Sequence, residues 1–123
     1  MISTKKLRKA MQDIAAKKGD FALFGLFMRA EAPGTWDLVV SAPWLEQGNL
    51  KALEEFTGML SKEIGEQSLR DFSRIVTLKP SDPAVAAVVS AFSIENGELR
   101  VQRSNLFGLY MEEAIIMRAK KAA

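Results

Sequence analysis

Six basic side chains crowd the first nineteen residues: Lys5, Lys6, Arg8, Lys9, Lys17 and Lys18, against the single acid Asp13. Clustered cations of this kind can neutralise nucleic-acid phosphates, an anionic membrane surface or an acidic face of another protein. Arg118, Lys120 and Lys121 repeat the bias at the other end. The intervening residues 20–117 carry eight basic and fourteen acidic groups, so the net charge of +2 conceals two basic ends around an acidic middle. Such asymmetry points to an acidic partner. The membrane reading is the weakest of the three, because the apolar stripe among these cations (Leu7, Met11, Ile14, with Ala10 and Ala15 beside it) lacks aromatic anchors.

The chain contains neither histidine nor cysteine. That excludes nucleophilic triads with an imidazole base, thiol chemistry, disulfides and Cys/His zinc sites. Any resident metal would need carboxylates and would be Mg²⁺, Mn²⁺ or Ca²⁺. Asp37, on an expected strand beside a hairpin, could begin such a site. A metal-dependent nuclease usually adds an acid two residues before a lysine on a following strand. Here Lys79 is preceded at that position by Thr77, so the constellation is broken. Glu112 and Glu113 are adjacent and face opposite sides of a strand. One of them is expected to pair across strands with Arg100 or Arg103. Neither GxxxxGK[ST] nor GxGxxG occurs. We therefore assign no catalytic residue, no metal ligand and no cofactor from sequence, and the balance leans away from an enzyme.

The aromatic residues offer contact surfaces instead. Pro43-Trp44-Leu45 reads as an apolar protrusion between a strand and a helix, and Tyr110 lies on the last strand. Trp44, Leu45 and Tyr110 are the expected partner-binding residues. Phe24-Gly25-Leu26-Phe27 is only a faint echo of an RNA-binding sheet motif, with no basic residue ahead of it.

The elements that must position these groups follow from periodicity and punctuation. Ser3 or Thr4 caps a helix ending near Lys18, and Gly19 stops it. Phe21–Met28 is apolar on both alternating faces, as a central strand covered on both sides is, with Gly25 marking a bulge or close approach. Residues 31–35 turn into a second strand, 36–42, making a hairpin. Asn49 caps a helix carrying Leu50, Leu53, Phe56, Leu60 and Ile64, and Gly65 ends it. A helical turn over 68–72 precedes a third strand, 74–79. Asp82-Pro83 starts a helix with Val85, Val88, Val89 and Phe92 on its buried stripe. Asn96-Gly97 turns into a strand over 98–103, and Ser104-Asn105 into a last strand over 106–118.

The expected architecture is one α/β domain over residues 1–123, in the order α-β-β-α-β-α-β-β. It has a five-stranded mixed sheet with helices packed on it, a basic first helix over 1–19 and a frayed tail over 119–123. With 48% hydrophobic and 26% charged residues, it needs no covalent staples. The longest apolar run is too short to span a bilayer and no targeting segment is evident, so the expectation is a cytoplasmic protein without membrane contact. The leading functional expectation is association, as a homo-oligomer or with a protein partner. Nucleic-acid binding through Lys5, Lys6, Arg8, Lys9, Lys17 and Lys18, with Arg100 and Arg103 on a sheet face, is the alternative. A carboxylate-metal enzyme at Asp37 is third.

Overall fold

The computed structural model describes residues 3–45, 49–106 and 108–121. Ser3 caps helix α1 (Thr4–Lys18) by accepting the Lys6 N–H, and Gly19, at φ +117°, ends it. Strands β1 (Leu23–Arg29) and β2 (Trp36–Ser41) form the expected antiparallel hairpin. Asn49 caps α2 (Leu50–Ile64), and the short α3 (Glu66–Leu69) leads to β3 (Phe72–Leu78). Asp82 caps α4 (Pro83–Ala91), with Pro83 at its first position. Strands β4 (Leu99–Leu106) and β5 (Leu109–Ala119) complete the chain.

The sheet runs β3-β2-β1-β5-β4. Only β2 and β3 are parallel, joined by the α2–α3 crossover. Helix α4 carries the chain from the β3 edge to the β4 edge. This is the mixed five-stranded α/β sheet expected from sequence, and the reason is β1. Phe24 and Leu26 belong to one core layer with the buried sides of α1 and α2, while Leu23 and Phe27 belong to a second layer with Val85 and Val88 of α4. A strand apolar on both faces requires cover on both. Gly25 permits the close packing of β1 on β5. A Cβ there would lie 3.0 Å from the Ile115 carbonyl oxygen, and the β1–β5 register shifts at this point.

Three expectations are corrected. The last hairpin does not turn at Ser104-Asn105; both lie within β4, and Gly108, at φ +73°, supplies the left-handed residue of the turn. The third strand begins at Phe72, whose ring joins the core opposite Trp36, so the helical turn before it ends earlier than 72. The tail expected to fray from 119 is tied down through 120. Ala119 is buried and exchanges backbone hydrogen bonds with Ile94, and Lys120 N–H donates to the Ala22 carbonyl at 2.9 Å. Residues 122 and 123 lie outside the described residues.

Trp44 and Leu45 do not protrude. Leu45 has 0% exposure. Trp44 is half-buried in an aromatic cluster, tilted against Phe21 (5.5 Å) and Phe56 (6.2 Å). Its indole N–H donates to the Gly19 carbonyl at 3.0 Å and so latches the end of α1 to the β2–α2 connection. Trp44→Phe keeps an aromatic ring in the cluster but removes this bond and part of the indole's packing. It should cost about 1–3 kcal/mol of stability, read by denaturant titration, and leave the oligomeric state unchanged. A change in oligomeric state would restore Trp44 to the contact surface.

Candidate functional site

Asp37 is the most deeply buried acid described, at 3% exposure. It sits on β2 between its neighbours in the sheet. Its Oδ2 accepts from Arg29 Nε of β1 at 2.8 Å and from Arg74 Nε of β3 at 3.0 Å, while Arg29 Nη1 also reaches Glu31 at 2.7 Å. Hydrogen bonding to Glu31, and then to Asp37, raises the Arg29 pKa above its ordinary value. The carboxylate that could have begun a metal site therefore joins three strands through two guanidinium groups. Among the described residues no three His, Cys, Asp or Glu side chains stand together as ion ligands.

The expected cross-strand pair is present: Arg100 Nη1 lies 3.2 Å from Glu113 Oε1, and Arg100 also approaches Glu98. Arg100 is paired with the sheet's acids yet stays 47% exposed. Arg103, exposed at φ +51°, has no ion-pair partner among the described residues. Tyr110 remains exposed (46%), next to Leu109 (41%), beside the turn between β4 and β5.

The cations of α1 divide into two groups. Lys17 and Lys18 occupy its last turn, where the helix dipole favours positive charge, and Lys18 also pairs with Glu55 of α2. Lys5, Lys6, Arg8 and Lys9 occupy the opposite end, whose first turn has no acid. In that first turn the dipole opposes Lys5 and Lys6 by about a few tenths of a kcal/mol each, while Arg8 and Lys9 stand one turn further on. Lys9 reaches Asp13 at 3.4 Å, an exposed pair of little net worth. Lys5, Lys6 and Arg8 have no acidic partner among the described residues. Arg8 Nε is enclosed without a hydrogen-bond acceptor among them.

These four side chains border one open concavity of about 420 Å³, which Ser3, Gln12 and Asn96 also line. Lys5, Arg8, Lys9 and Gln12 follow the i, i+3, i+4, i+7 spacing of a single helical face, so three like charges lie side by side. The helix holds them there because Leu7, Ala10, Met11 and Ile14, on its other side, are fully packed into the core. Sequence reading found the cations. It did not find Asn96, some ninety residues away, whose place depends on the turn into β4.

A second concavity, about 350 Å³, adjoins the first and shares Gln12 and Asn96 with it. Met11, Ala15 and Ala16 of α1 line it beside Asp20, Glu95 and Arg118. Arg118 fastens its wall, donating to the Phe21 and Glu95 carbonyls and lying 3.6 Å from Asp20. Lys120 pairs with Glu95 and lowers its pKa below the ordinary carboxylate value. A further groove of about 440 Å³ runs along α4, but Val85, Ala86 and Val89 dominate it and few polar groups converge there.

The Asp37 bridge generates a direct test. Asp37→Asn leaves two guanidinium groups facing a neutral amide. Because Arg74 is half exposed and the amide oxygen still accepts a hydrogen bond, the loss should be about 1.5 kcal/mol. Thermal or denaturant unfolding measures it, and a loss below about 0.5 kcal/mol would show that the bridge is solvated. Compared with known proteins, the chain matches no family model, no curated protein and no solved structure.

Proposed function

We propose that this chain binds nucleic acid through the N-terminal half of α1, with Lys5, Lys6, Arg8 and Lys9 set against phosphate groups. One observation carries the reading: four cations border a single concavity that no acid lines, and two of them, Lys5 and Lys6, stand in the first turn where the dipole opposes positive charge. An arrangement unfavourable in the free protein is relieved by an anion in the concavity, and a phosphate backbone supplies anions in series. The test is fluorescence anisotropy with labelled oligonucleotides at about 50 mM salt. Wild-type protein should bind, with affinity falling steeply as salt rises. The double variant Lys5→Ala/Lys9→Ala should bind at least ten-fold more weakly and flatten the slope of log K against log salt by about 1.4 to 1.8. Its thermal stability should be unchanged or higher, because it relieves repulsion. Failure of the wild type to bind RNA or DNA at low salt would overturn the proposal.

Self-association at the hairpin end is a second reading, supported by the neighbouring exposed side chains Leu109 and Tyr110. Sedimentation at tens of micromolar should then show a dimer or larger species that Tyr110→Ser converts to monomer. A monomeric wild type removes this reading.

A further inference from the structure

We infer that the nucleic acid taken by this site is single-stranded, with one nucleotide laid across the two adjoining concavities. The inference rests on the proposed nucleic-acid reading. The two compartments differ in chemistry. The first holds Lys5, Lys6, Arg8 and Lys9 without an acid and is suited to phosphate. In the second, Arg118 and Lys120 balance Asp20 and Glu95, so its charge is neutralised. Ala15 and Ala16 contribute apolar methyl groups to its lining, and Asp20 and Glu95 contribute acceptor oxygens. Such surroundings offer a phosphate no net positive charge and suit a nucleobase, whose edges carry both donors and acceptors.

Gln12 and Asn96 stand at the junction and line both compartments. Each side-chain amide presents a donor beside an acceptor, and neither has a hydrogen-bond partner among the described residues. They are placed to read a base whose phosphate rests among the cations.

A duplex fits this geometry poorly. A helix that reads a duplex must project into the major groove, about 12 Å wide and 8.5 Å deep. Here α1 lies flat on the core through Leu7, Ala10, Met11 and Ile14, and Asn96 lines the same concavity as its basic stripe. An unpaired strand can enter between helix and turn. The two volumes, about 420 and 350 Å³, lie at the small end of ligand-sized concavities and suit a single nucleotide.

The experiment compares three probes on the full chain by anisotropy or competition at about 50 mM salt: a single-stranded twelve-residue oligonucleotide, as RNA and as DNA; the matching duplex; and heparin, which carries anions but no bases. Wild-type protein should bind the single strand at least ten-fold more tightly than the duplex. Asn96→Ala, which removes the shared amide, and Ala16→Leu, which fills the base compartment without changing charge, should each weaken single-strand binding at least five-fold. Heparin binding should stay within two-fold. Duplex binding equal to or tighter than single-strand binding overturns this inference and leaves the nucleic-acid reading standing. Unchanged single-strand binding in both variants does the same. Binding of heparin with no binding of any oligonucleotide overturns both readings in favour of a different polyanion.

Discussion

A central strand with large apolar side chains on both faces is the constraint from which the rest of this fold follows. Phe24 and Leu26 on one side of β1, and Leu23 and Phe27 on the other, each need a layer of cover. Burying several such side chains is worth on the order of 2 kcal/mol apiece, more than any surface interaction here. Helices α1 and α2 cover the first face and α4 the second. The position of α1 is then no longer free. Its Leu7–Ala10–Met11–Ile14 side must face the sheet, which commits its cationic stripe to the flank where the turn into β4 passes.

The polar interactions refine this arrangement. Asp37 ties β1, β2 and β3 together at one end of the sheet. Trp44 and Gly19 tie the end of α1 to the start of the crossover, and Arg118 holds the wall of the second concavity. Each links segments distant in sequence, and each uses groups that looked available for function when read as a string. A buried carboxylate between two guanidinium groups is costly to break, yet by itself it is weak evidence for added stability, because desolvation offsets the attraction. Its clearest effect is on register: β2 cannot slip against β1 or β3 without separating these charges.

The cations of α1 show how position changes the meaning of one residue type. Lys17 and Lys18 stabilise the helix that carries them, whereas Lys5 and Lys6, in its first turn, oppose it. Local conflict of that kind is where a natural sequence departs from the demands of its own fold, and such departures gather at functional positions.

Read as sequence, the chain already determined its helix starts at Ser3, Asn49 and Asp82, its stops at Gly19 and Gly65, and the two-faced strand at its centre. It also determined the absence of thiol and imidazole chemistry and the basic character of its ends. These are local properties: a cap or a glycine acts within one turn of backbone, and composition needs no coordinates at all. Only the tertiary structure decided the direction of Trp44 and Leu45, the partners of Asp37 and the meeting of Gln12 with Asn96. It also located the last turn at Gly108. Each depends on contacts between segments tens of residues apart, such as Trp44 with Gly19 and Asp37 with Arg74, and burial on a folded surface cannot be read from neighbours in the chain. The lysines and arginine at the start of α1 were visible from the outset; that they border a single concavity was not, because Asn96, which also lines it, comes from the other end of the fold.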